Sequence, residues 1–138
     1  MTMNPDLVRA RCAEIEESIA RLEQFKQLSP SQFTADQDKV DIACYRLLIA
    51  IEAALALCYH ACAKKIHRTP DDYASCFRNL AQAAIIPQDL AERLERLARL
   101  RNLLVHRYWV IDHVRVHEII RQDLNDLRQF AAAMAQLV

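Results

Sequence analysis

The 138-residue sequence predicts an all-α bundle. Three observations carry that expectation: apolar residues recur at three-to-four spacing in five stretches, helix start signals stand just before them, and no stretch alternates as a strand would. A chain of this length can bury about two-thirds of its unfolded surface in one core. Residues 1–138 are therefore expected to form a single domain that needs no staples.

The first helix starts at Asn4-Pro5-Asp6, a cap followed by a first-turn proline and an acid, and carries the stripe Val8, Cys12, Ile15, Ile19 and Leu22. Ser29-Pro30-Ser31 is expected to end it. The second helix opens on Thr34-Ala35-Asp36-Gln37, a capping-box pattern, and runs to about Ile66 through Val40, Cys44, Leu47, Ile51, Leu55, Cys58 and Cys62. Its length makes it the central helix. Thr69-Pro70-Asp71-Asp72 caps a shorter third helix with Tyr73, Phe77 and Leu80, which closes before Pro87.

The fourth helix runs from Pro87 to about His106. Leu90, Leu94, Leu97, Leu100 and Leu104 face inward, with Glu92, Arg93, Glu95, Arg96 and Arg99 on the outside. The segment "RYWVID" breaks the periodicity. A fifth helix then follows through Val116, Ile119, Ile120, Leu124, Leu127, Phe130, Met134 and Leu137. No repeat, low-complexity tract or interdomain linker is present, and every loop is short enough for a bundle.

Composition excludes several functions. Hydrophobic residues make up 53% and charged residues 26%, and no apolar run reaches the ~18 residues of a membrane span. The opening "MTMNPDLVRARC" has no apolar signal region, so a cytoplasmic protein without membrane contact is expected. Glycine is absent, which removes the phosphate-cradling loop of ATPases and the dinucleotide turn of nicotinamide dehydrogenases. Eighteen basic and eighteen acidic residues cancel, so any contact with RNA must come from a local basic patch.

Five cysteines is an odd number, and Cys44, Cys58 and Cys62 share the stripe of the second helix. They read as reduced core residues rather than a disulfide framework. The four-residue spacing of Cys58 and Cys62 suits a metal, but no second sulfur pair follows, so no metal site is expected. His113 and His117 have the same spacing and no third ligand, and they read as surface histidines. Lys64, Lys65, His67 and Arg68 form a basic cluster that reads as a solvated helix end.

The stretch "RLRNLLVHRYW", residues 99 to 109, concentrates chemistry beside apolar Leu103, Leu104 and Val105. Asn102 and His106 lie on one helix face, four apart, and Arg101 sits about 140° from His106. If the helix loosens near His106, arginine, imidazole and the Tyr108 hydroxyl can meet in one pocket. A guanidinium fork suits a phosphate, and a histidine moves protons near neutral pH. The plainer reading of an arginine and a histidine near a helix end is a surface ion and a carbonyl cap. Glu52 sits within the apolar stripe of the second helix and needs a partner if buried, for which an ion pair or hydrogen bond with Arg101 across the bundle is expected.

The tract resembles the R-x4-H-x-Y signature of the HEPN superfamily, and within it the HepT-type toxins. "AIEAALALCYH", residues 50 to 60, is similar to the central-helix segment of that family, with Glu52 and His60 at matching places. The capped opening of the third helix and "IIPQDLAERLERLARLRN" also read in family order, so the likeness spans nearly the whole chain.

That resemblance implies a homodimeric helical bundle with the two motif copies facing across the interface. It implies a ribonuclease that needs no metal or other cofactor. Arg101 would steady the phosphate, His106 would act as general acid or base, Asn102 would orient one of them, and Glu52 would support the site. It also implies a partner, a minimal nucleotidyltransferase antitoxin that transfers AMP to the motif tyrosine, here Tyr108. A bulky anion two residues from His106 would block the site and repel RNA. The rival expectation is a catalytically silent helical subunit that serves the nucleotidyltransferase as substrate-binding or regulatory partner.

Overall fold

Asn4 opens the first helix by accepting hydrogen bonds from the backbone of Asp6 and Leu7 at 3.0 and 3.3 Å, with Pro5 at the first helical position. In the computed structural model, which describes residues 2–138, α1 spans Pro5–Glu23. The expected stop at Ser29-Pro30 instead nucleates a further short helix, α2, at Pro30–Thr34. The reason is local: Ser29 and Gln32 cap each other's backbone reciprocally at 3.1 and 2.9 Å. This turn buries Phe33 completely.

The long helix α3 spans Gln37–Lys65, and its cap is Asp36 rather than Thr34. Val40, Cys44, Leu47, Ile51, Leu55, Cys58 and Cys62 are all buried along it, and it touches every other α-helix. Contrary to the expectation from uninterrupted apolar runs, this helix contains a window long and apolar enough to cross a membrane, and 56% of that window is buried inside the bundle. A central position therefore accounts for that apolarity.

Helix α4 spans Tyr73–Gln82, with Asp72 and Ser75 capping each other, and packs on α5, Gln88–His106. All five leucines of the expected inner stripe of α5 are buried. A 3-10 turn at Tyr108–Val110 follows. The expected fifth helix is two helices, α6 at His113–Gln122 and α7 at Leu124–Ala135. The break at Asp123 lets α6 reach α2 as well as α1 and α3, while α7 lies on α1, α3 and α5. Buried Asp126, which accepts from Arg93 at 2.9 Å, ties the first turn of α7 to α5.

Two cysteine and histidine expectations are overturned. Cys58 is disulfide-bonded to Cys76, a residue of α4 that lies outside the α3 stripe and reaches it only because the two helices pack. The Cys62 sulfur lies within 4.8 Å of both, so the three sulfurs cluster in the core; Cys12, Cys44 and Cys62 are free. His117 is buried rather than at the surface: its Nε2 lies 3.0 Å from the Phe25 carbonyl, and its ring stacks on Phe33 at 4.8 Å. The added turn α2 creates that contact. His113, at the start of α6, is only partly covered.

Candidate active site

Polar links join the end of α5 and the turn after it to α3. The first is centred on Arg101, which buried Leu100 and Leu104 carry against the central helix. Its Nε donates to Glu52 Oε1, its Nη1 donates to Asn102 Oδ1 at 3.3 Å, and its guanidinium lies over the Tyr73 ring, 4.4 Å from the centroid. Tyr59 holds that ring edge-on at 5.9 Å. The Arg101 side chain is 12% exposed against 46% for Glu52, so the arginine is the enclosed member of the pair. Glu52 was expected within the apolar stripe but lies beside it, because Ile51 and Leu55 occupy the buried line. The Arg101 partnership expected for it is present.

Asn102 and His106 are exposed on the last turns of α5. Among the described residues no hydrogen bond involves the His106 imidazole, which leaves both ring nitrogens open to a ligand. The helix ends at Arg107, whose backbone leaves the helical region (φ −143°, ψ 49°) while its N–H still reaches Leu103 O at 2.9 Å.

That turn aims Tyr108 away from Arg101. Its hydroxyl donates to Asp41 Oδ1 at 2.9 Å, and the same oxygen accepts from Gln37 Nε2 at 2.8 Å. Asp41 and Glu52 stand eleven positions apart on α3, about 16 Å along the axis. The expected meeting of Arg101, imidazole and Tyr108 hydroxyl in one pocket is therefore not found within a single chain. Burial, and secondly the Asp41 hydrogen bond, push the Tyr108 phenol well above its ordinary pKa and keep it protonated.

Three contributors escaped the sequence reading. Tyr73 reads as an apolar position, and Gln37 and Asp41 carry no local signal; only the packing of α5 and its following turn on α3 gives them a role. His60, which matches the family's central-helix segment, makes a structural contact. Its Nε2 accepts the Asn4 backbone N–H at 2.9 Å, and burial followed by nearby Lys64 holds its pKa below the ordinary value, as suits an acceptor. Lys65, His67 and Arg68 are exposed where α3 ends, and Arg68 Nη1 donates to Gln82 Oε1 at 3.5 Å.

The fold and the site define a HEPN-type helical domain with an arginine–histidine–tyrosine motif at the end of its fifth helix. Residues 15–134 match the family described as Ribonuclease HepT-like, and the chain belongs to that family. It is 28% identical over 125 residues to the mRNA nuclease HepT of Shewanella oneidensis, covering 91% of this chain and 93% of that protein. Among solved structures it is similar to the tri-AMPylated Shewanella oneidensis HEPN toxin in complex with MNT antitoxin, with a TM-score of 0.87 at 28% identity over 97% of this chain and 99% of that one. A toxin–antitoxin structure with AMP-PNP aligns with a TM-score of 0.85 at 27% identity over 96% and 99%.

Proposed function

We propose that this chain is the RNA-cleaving toxin of a toxin–antitoxin pair, restrained in the cytoplasm by a minimal nucleotidyltransferase that attaches AMP to Tyr108. The observation that carries the reading is the end of α5, where a guanidinium fixed by Glu52 and Tyr73 stands one residue before exposed Asn102 and one turn before an open imidazole. The Shewanella relatives, described as an mRNA nuclease and as an AMPylated toxin bound to its antitoxin, support the same assignment.

In this mechanism the RNA supplies its own nucleophile. The 2′-hydroxyl attacks the adjacent phosphorus, the 5′-oxygen leaves, and a cyclic phosphate remains. His106 moves the proton at one of those oxygens, Arg101 stabilises the charge gathering on phosphate, and Asn102 holds Arg101 in line. One imidazole performs one proton transfer at a time. A homodimer that brings a second His106 to the groove supplies both an acid and a base. No bound metal enters these steps.

Expression of the chain alone is expected to arrest growth, and His106→Ala is expected to relieve the arrest and abolish RNA cleavage. Cleavage by the purified protein is expected to be the same with and without a strong chelator. Arrest that persists in His106→Ala would replace the nuclease by the silent-subunit reading.

A further inference from the structure

The Tyr108 hydroxyl is not left to solvent. It donates to Asp41 Oδ1 at 2.9 Å, and Gln37 donates to that oxygen from one helical turn earlier at 2.8 Å, fixing the carboxylate. A cavity of about 250 Å³ opens beside the contact, lined by Asp41, Cys44, Tyr45, Leu48, Leu104 and Tyr108. It is a partly apolar recess, with room for part of a nucleotide beside the acceptor oxygen.

We propose that Asp41 is the base that takes the Tyr108 proton when the tyrosine is adenylylated, so that the toxin supplies part of the catalytic machinery for its own modification. The inference rests on the reading of Tyr108 as the AMP acceptor. A protonated phenol is a poor nucleophile toward phosphorus, and burial raises the pKa of this one further, so a free phenolate is scarce near neutral pH. The proton must therefore leave as the new bond forms, to a base already within hydrogen-bond reach. Asp41 is such a base.

The step balances without any redox partner. Tyr108 Oη forms a bond to the α-phosphorus of ATP while the bond from that phosphorus to the bridging oxygen breaks. Pyrophosphate leaves with the electron pair. The phenolic proton passes to the Asp41 carboxylate and from there to water. The titratable groups that line this recess with Asp41 are Cys44 and Tyr45 on its own helix and Tyr108 on the 3-10 turn, while α5 contributes Leu104 to the lining. Neither Cys44 nor Tyr45 brings a positive charge that would neutralise the carboxylate.

The test is a single-turnover measurement with ATP, magnesium and a purified minimal nucleotidyltransferase antitoxin, read by intact mass. It compares wild type, Tyr108→Phe, Asp41→Asn and Asp41→Glu across pH. An asparagine oxygen still accepts the tyrosine hydrogen bond and keeps the ring in place, but it cannot take the proton. Asp41→Asn is expected to slow the transfer by about 100-fold. Its rate should rise roughly tenfold per pH unit as phenolate becomes the reacting species, whereas wild type stays nearly flat around neutrality. Asp41→Glu is expected to recover part of the rate and the flat profile. An Asp41→Asn protein with the rate and pH profile of wild type would overturn the assignment while leaving Tyr108 as acceptor. A wild-type chain that gains no AMP at Tyr108 would overturn both readings together.

Discussion

Arg101 is the residue at which structure and chemistry are hardest to separate. Its guanidinium binds Glu52, touches Asn102 and covers Tyr73, so truncation removes a charge-assisted hydrogen bond and a cation–π contact together. Arg101→Ala is expected to cost about 1–2 kcal/mol of folding stability, discounted because Glu52 is nearly half exposed. His106→Ala, with no hydrogen bond to lose among the described residues, is expected to stay within about 0.5 kcal/mol of wild type. Chemical denaturation of both variants checks the contrast. Arg101→Lys keeps the charge but loses the planar fork and its stacking, so it should recover little of the loss. The Arg101–Glu52 pair was legible in the sequence because a glutamate near an apolar stripe calls for a cation. Tyr73 was not, because a ring that covers a guanidinium and a ring that fills a core look alike in a helical pattern.

At the scale of elements, the lack of glycine has a visible consequence. Helix α4 ends in a Schellman motif, with Ala84 N–H on Ala81 O and Ile85 N–H on Leu80 O, both at 2.9 Å. The motif needs a left-handed residue, and here that residue is Ala84 at φ 60°. An L-residue with a Cβ costs about 1 kcal/mol more than glycine in that conformation. Ala84→Gly is therefore expected to stabilise the exposed turn by about 1 kcal/mol, measured as an increase in denaturation midpoint. Apolar spacing located the long helices well, since the buried lines of α3 and α5 coincide with their expected stripes. It missed α2, whose five residues are too few to show a period, and it ran α6 and α7 together because their stripes stay in register across Asp123.

At the scale of the whole molecule, the surface around the motif is more apolar than a monomer requires. Trp109 is 78% exposed, and exposed Ile42, Tyr45, Val105 and Val110 accompany it around the Asp41–Tyr108 contact. Exposed apolar surface of this kind is a candidate interface, and the homodimer proposed above would use it to bring two motifs together. Light scattering is expected to give the mass of two chains rather than 15.9 kDa, and Trp109→Asp is expected to shift it toward one chain with helical content unchanged. A wild-type monomer at micromolar concentration would remove the second imidazole from the mechanism.

What the sequence by itself determined was whatever depends on local order: the all-α class, most helix starts, the buried stripes of the long helices, and the arginine–histidine–tyrosine tract at the end of α5. These follow from a 3.6-residue period and from caps that act within one turn. The tertiary structure alone decided which helix faces which. It brought Asp41 to Tyr108 across 67 positions and Cys76 to Cys58, and it turned His117 inward onto Phe33. Local propensity carries no term for a partner dozens of residues away. The rotation of Tyr108 away from Arg101 had the same cause, because it arises where a single non-helical residue, Arg107, redirects the chain toward the start of α3.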